Sequence, residues 1–499
     1  MIRRAMAPAL FALALGAAPL AAQRPVLDTL PQATLSLDDA LRLALPASEA
    51  VSLARSAVRR AQGDVKKARS EFFPQITGTA SYTRTLKSQF SRSAGGSGTT
   101  DTTQTTTTSC NRFRGDPSAP VGTRLDSLES AVGCLTSLNP FAAFGNLPFG
   151  QKNQYRLGLD GSQILYAGGR VRAQTRAAQA AERSAKIGLT AQEAQLTLDV
   201  TQAYYDAALA DQLLLIARGT LQLADSTYQQ TVLARKVGSQ PEFDVLRAQV
   251  SRDNARTAAI QRESDREIAF LRLKQLLNLP LAGPLTLTTP VVDSLLPVVP
   301  ALDSLVSRQL DTVVDERAPV RQAQASVDEQ EQRYRVAKAE RYPAVTLSSS
   351  FARLGYPSDL LPSWSDFVSD WTVGLTVKVP LFTGGRIGGS VQSAGTNAED
   401  ARIRLRQARE RAAVDTRSAL ERLRAAGAAW EASQGTVAQA EKAYAIAEIR
   451  YRNGISTQTE LADSRILLEQ ARANRATAGR DLQTARVRVA LLPELPLAQ

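Results

Sequence analysis

From Trp371 the chain alternates: Trp371, Val373, Leu375, Val377, Val379 and Leu381 are apolar, while Thr372, Thr376 and Lys378 fall between them. A period of two predicts a strand with one apolar and one polar face. A matching alternation sets Tyr155, Leu157 and Leu159 against Arg156 and Asp160. Two weaker strands follow aromatic-proline pairs: Ile76 and Tyr82 after Pro74, and Val345, Leu347 and Phe351 after Pro343. Proline biases the residue before it away from helix, so each pair ends a helix and starts extended chain. Strands of about ten residues suit a membrane span.

Elsewhere the period is helical. Steps of four and three residues from Leu196 meet Val200, Ala203, Ala207, Ala210, Leu214, Ala217, Leu221, Ala224 and Tyr228. The same steps from Ala412 meet Thr416, Ala419, Leu423, Ala426, Trp430, Ser433, Val437, Ala440 and Tyr444. These are heptad seams with small residues kept in one register, which lets helices approach closely. No Pro interrupts Arg170 to Val237, and a helix of that span extends about 100 Å. Each half then turns at a glycine, Gly238 or Gly454, and returns through 244–278 or 460–492 as an antiparallel partner.

The two patterned regions are one unit repeated. Tyr155 aligns with Trp371, Gly168 with Gly384 and Gly238 with Gly454, all at an offset of 216 residues. "EFFPQIT" at Glu71 aligns with "ERYPAVT" at Glu340 at an offset of 269, so an insertion of 53 residues separates Pro74 from Tyr155. Such self-similarity predicts two equivalent structural repeats, 23–279 and 306–492, with a Pro-rich connector at 280–305 and a tail at 493–499. The insertion, at about 86–153, centres on Thr- and Gly-rich sequence that cannot build a core. It holds both cysteines, Cys110 and Cys134.

Composition changes the picture in three ways. There is no His, which removes the commonest general base and metal ligand. No GxxxxGK[ST] loop occurs and the acids are scattered over helix surfaces, so no catalytic, cofactor or metal site is expected. The net charge of +12 comes from Lys and Arg interleaved with Asp and Glu, which predicts solvated helices rather than a nucleic-acid surface. Residues 1–22, two arginines followed by an apolar run and a small-residue end, read as a secretory signal peptide. No Cys follows Ala22, so no lipid anchor is expected there. In an exported chain Cys110 and Cys134 are expected to pair, tying a loop outside the cell.

Four amphipathic strands in a bilayer leave edges whose unpaired backbone groups each cost several kcal/mol. Membrane barrels start at eight strands, so copies must share one barrel. Two copies give eight strands and three give twelve, and strand count alone does not choose.

With its duplicated strand-loop-strand, its two Gly-Gly-Arg junctions and its heptad hairpins, the chain from Ser36 to about Leu492 resembles the TolC family of outer-membrane efflux proteins. The resemblance implies a mainly α chain with membrane β: a homotrimer whose 12-stranded barrel lies in outer-membrane lipid above a periplasmic α-helical coiled-coil barrel. It implies an exit duct working with a periplasmic adaptor and an inner-membrane transporter. Gly168, Gly169, Arg170, Gly384, Gly385 and Arg386 would form the barrel-to-tunnel junctions. Gly238 and Gly454 would turn the hairpin tips at the periplasmic entrance.

At those tips the resemblance matches Glu460 and Asp463 to a constriction, and Asp244 with Tyr451 to a closing contact. An arginine of that network falls on Ser456, so this part of the lock is altered. Glu460 and Asp463 read equally as acids favoured at a helix N-terminus. The competing class is a non-transporting envelope scaffold or periplasmic adaptor. An adaptor would carry one hairpin rather than two hairpins and four strands.

Overall fold

A computed structural model describes residues 33–86, 116–137, 153–289, 314–357 and 360–497. The signal segment, Cys110, most of the insertion and most of the connector lie outside the described residues, as does the side chain of Cys134. The Cys110–Cys134 pairing therefore lies outside them too.

The elements are β1 (Ala33–Leu35), α1 (Leu37–Ala47), α2 (Glu49–Ser70), β2 (Gln75–Arg84), α3 (Val121–Ser137), β3 (Asn153–Ala167), α4 (Arg170–Lys236) and α5 (Glu242–Leu276). They continue as β4 (Leu285–Leu287), α6 (Ala318–Ala339), β5 (Ala344–Gly355), β6 (Phe367–Lys378), α7 (Arg386–Arg452) and α8 (Gln458–Leu491). The long helices α4 and α7 each span 67 residues, α4 as the Pro-free tract from Arg170 predicts. The chain forms two compact units, each drawn from both repeats: 1–55, 189–319 and 410–499 in one, 56–188 and 320–409 in the other.

The second of these units holds an antiparallel sheet of four strands, in the order β2-β3-β5-β6. Tyr82 stands opposite Tyr155, Leu159 opposite Phe351, and Phe351 opposite Trp371, so the apolar positions of all four strands share one face. The other face carries Thr77, Asp160, Ser350 and Thr372, with a 2.7 Å hydrogen bond from Ser350 Oγ to Asp160. Among the described residues nothing covers the apolar face: Trp371 is 72% and Leu375 63% exposed. Strand β6 is shifted from the alternation that predicts it, starting at Phe367 and stopping at Lys378 rather than Leu381. The reason is its neighbour: Ala344 opposite Lys378 is the last pair β5 can offer.

In the other unit, β1 and β4 form a short parallel pair beside a core of Leu37, Val51, Val200, Tyr204, Phe270 and Leu273. The hydroxyl of Tyr204 donates to Leu35 O and accepts from Thr289 N, both at 2.9 Å, tying the chain on either side of the core. The adjacent Tyr205 is as deeply buried, yet its hydroxyl has no partner. The predicted seam of α4 is buried at Val200, Ala207, Leu214, Ala217 and Ala224. In α7 it is buried at Ala412, Thr416 and Ala419 and half-buried from Leu423 to Tyr444.

Candidate functional site at the junctions and hairpin tips

Strand β3 passes into α4 through Gly168 and Gly169, at φ 59° and 82°. Gly384 and Gly385 precede α7 at φ 56° and 85°. All four occupy the left-handed region that only glycine enters without a steric penalty. At Gly168 a second constraint applies: a Cβ there would lie 2.8 Å from Tyr342 Cβ and 2.9 Å from Ala339 O. At Gly384 it would meet nothing within 4 Å. Arg170 and Arg386 each open a helix, where a cation opposes the dipole. Each is offset by an acid of its own repeat, Glu71 at 3.4 Å and Glu340 at 2.8 Å.

Both tips end their long helices in the same way. Gly238 N donates to Arg235 O and Ser239 N to Ala234 O; Gly454 N donates to Tyr451 O and Ile455 N to Arg450 O. With Gly238 at φ 71° and Gly454 at φ 74°, these are paired Schellman motifs that satisfy otherwise orphaned carbonyls. The return helices start differently. Pro241 caps α5 without a side-chain bond, whereas Thr457 caps α8 by accepting from Glu460 N.

Glu460 therefore sits in the first turn of α8, with Arg450 3.7 Å away. Asp463, three residues on, is exposed. Asp244 occupies the equivalent first turn of α5 and is half-buried. Tyr451 lies on α7 with its phenol 3.4 Å from Thr231 Oγ1 of α4. Thr231 spends its own proton on Thr227 O at 2.8 Å, so the phenol is the donor. Within one chain the phenol thus meets α4, not Asp244 of α5.

Ser456, where the resemblance expects arginine, is half-buried with an unpartnered hydroxyl. A different arginine crosses the tip: Arg465 of α8 donates to Ser251 Oγ of α5 at 2.6 Å. Burial lowers the pKa of its guanidinium from the ordinary value. Sequence reasoning missed Arg465, although a signal existed. It stands between Leu461 and Leu468 at seam spacing, and both leucines are buried. Among the described residues no helix is long and apolar enough to cross a membrane.

The sequence profile of the outer membrane efflux protein family matches residues 145–279 and 310–492. The chain belongs to this family. It is 24% identical over 330 residues to nodulation protein T of Rhizobium leguminosarum bv. viciae, across 65% of this chain and 66% of that protein. The chain thus spans just under two thirds of that relative's length. Its fold matches VceC of Vibrio cholerae at a TM-score of 0.67 and 18% identity, over 91% of this chain and 95% of VceC. It also matches the open state of the MtrE outer membrane channel of Neisseria gonorrhoeae at 0.69 and 17%, over 92% and 89%. The family is that of outer membrane efflux proteins, and the fold shared with these solved structures is the helix-rich, internally duplicated architecture that the TolC resemblance implies.

Proposed function

We propose that the protein is the outer-membrane exit duct of a tripartite exporter, a passive homotrimeric conduit that engages a periplasmic adaptor and an inner-membrane transporter. Its four strands per chain contribute to a 12-stranded barrel in outer-membrane lipid, and the paired 67-residue helices continue it as a periplasmic tunnel. One observation carries this reading. A four-stranded sheet with one bare apolar face and two open edges leads through left-handed glycines into Pro-free helices. Such a sheet is stable in lipid only when closed. A scaffold or adaptor has no use for it, so that alternative is not favoured. Mass measurement of the detergent-solubilised protein should give three copies; a stable monomer with intact strands would refute the duct.

The periplasmic tips form the gate. Tyr451 holds α7 against α4, and a hydrogen bond between neutral groups contributes about 1 kcal/mol. Tyr451→Phe should therefore raise open probability in planar bilayers without unfolding the helices. Unchanged conductance would remove Tyr451 from the gate.

Glu460 and Asp463 line the constriction as stacked rings, and like charges so close draw in cations. Arg450 offsets Glu460, whereas Asp463 is exposed and makes no ion pair among the described residues. Asp463→Asn should therefore reduce cation preference more than Glu460→Gln. The double variant should abolish it, and persistence would place the constriction elsewhere.

A further inference from the structure

The two hairpins of the sheet pair in one register. Gln75 opposite Ser162 corresponds to Ala344 opposite Lys378, and Arg84 opposite Asn153 to Arg353 opposite Ser369. Every pair between these limits corresponds as well. The sequence offsets, 216 for β3 to β6 and 269 for β2 to β5, are thus also structural equivalences.

One joint between hairpins is made inside the chain. Strand β3 pairs with β5 from Tyr155 opposite Gly355 to Ala167 opposite Ala344, with Leu165 as an extra residue between Ile164 and Tyr166. The equivalent joint, β6 with β2, is not made, and both strands are edges. Three features of β6 register that missing neighbour. The counterparts of Gln163–Ala167, residues 379–383, are not in strand conformation. Leu381 and Phe382 are 92% and 91% exposed. Gly384 faces open space where Gly168 faces Tyr342 and Ala339 O. By the same offset, the counterparts of Tyr342 and Ala339 are Phe73, itself largely exposed, and Ser70.

We infer that β6 pairs with β2 of a second copy in the register that β3 makes with β5, and that the partner's Phe73 seats on Gly384. This rests on the multi-copy channel proposed above but fixes its seam residue by residue. Thr376 then stands opposite the partner's Ser81, Leu375 opposite the partner's Tyr82 and Val377 opposite the partner's Ala80. Residues 379–383 extend β6, with Leu381 as the extra residue and Phe382 opposite the partner's Ile76. Pro380, which has no N–H for a ladder, falls beside that bulge, a position strands tolerate.

Facing chemistry supports the register. It places Leu375 against Tyr82, Val377 against Ala80 and Phe382 against Ile76, with Thr376 against Ser81 and Thr372 against Thr85. Val373 against Arg84 and Lys378 against Thr79 are unmatched pairs, and a one-residue slip would put Leu375 against Ser81 or Thr83. A head-to-tail joint that repeats in this way closes a ring of hairpins.

Cysteine pairs in a Cys110→Ser, Cys134→Ser background of the full chain test the seam. Asp160→Cys with Ser350→Cys is the internal control, since those residues are opposed in β3 and β5. Its intermolecular equivalent is Thr376→Cys with Ser81→Cys. On oxidation the control should cross-link within one chain, and the equivalent pair should give covalent dimers and trimers on denaturing gels. Pairing Thr376→Cys with Thr79→Cys or Thr83→Cys, two residues out of register, should give several-fold less.

A trimer by mass that cross-links best in a shifted pair, or in none, overturns the register and leaves the channel reading intact. A monomer by mass overturns both. The glycine socket has its own readout. Gly385 has the same strained φ but open space, as does Gly169 in the completed joint. Gly384→Ala should therefore lower the temperature at which the trimer dissociates more than Gly385→Ala. Equal shifts would leave the socket unfilled.

Discussion

The two repeats carry the same acid and base where their long helices pass the core, and use them differently. Asp199 and Arg272 in the first correspond to Asp415 and Arg488 in the second. In the second, Arg317 is fully buried, 2.8 Å from Asp415 and 3.0 Å from Thr416, and the same carboxylate has Arg488 at 3.3 Å. Ser48 stands at the corresponding place in the first, and Asp199 is bonded to Gln195 at 2.7 Å. Burial raises its pKa from the ordinary value. The first repeat closes instead around Tyr204 and Tyr205. One backbone plan thus accepts either a buried charge network or an aromatic core, provided the backbone groups beside it are satisfied.

The strongest way to break this comparison is Arg317→Met. Removing one partner of a buried ion pair costs about 3–5 kcal/mol because the other charge is stranded. Retention of Arg488 should hold the loss near the lower end. Denaturant unfolding of the purified assembly should register it, and a loss under about 1 kcal/mol would mean that Arg488 suffices for Asp415.

Tyr204 and Tyr205 sharpen the contrast from the other side. Tyr204→Phe strands Thr289 N and leaves Leu35 O with its bond from Thr288 N alone, at about 2 kcal/mol. Tyr205→Phe removes a hydroxyl with no partner and should be neutral or slightly stabilising. Tyr205 also carries a pH signature. Burial, with the neighbouring Tyr204 phenol, pushes its pKa up to about 12 from an ordinary 10.0. The folded state then holds a proton that the unfolded state releases, so stability is complete below pH 10 and falls as pH rises toward 12. Thermal unfolding between those values should show a decline that Tyr205→Phe reduces; an identical decline in the variant would assign it to other groups.

The smallest effect belongs to the tips. Thr457→Ala should cost about 1 kcal/mol of local stability, seen as faster hydrogen exchange in the first turn of α8. Pro241 gives α5 no side-chain cap to lose. Equal exchange at both tips in the unmodified protein would erase the distinction.

Much of this was legible because period reports burial. Trp371, Val373, Leu375 and Val377 alternate because one face of the sheet is apolar, and Val200, Ala207 and Leu214 recur because α4 packs along one line. Strand ends were less legible, since a strand stops where its neighbour does. Partners at the tip were hidden for a related reason. Whether Tyr451 reaches Thr231 or Asp244 depends on how two helices rotate about their axes, and no local pattern encodes that. Arg317 gave no signal at all: it follows Glu316 early in the second repeat and reads as one more surface charge.

The pairing of Tyr155 with Gly355 has a consequence for the order of events after synthesis. Helical hairpins join residues close in sequence and form early, whereas contacts between distant segments wait for chain that has yet to emerge. The central joint of the sheet cannot form until the second repeat exists, and until then the apolar side of the first hairpin is bare to water. Exposed strands of this kind aggregate. The duplicated architecture therefore leaves the first hairpin as the stretch of newly made chain most exposed to self-association until the second repeat arrives.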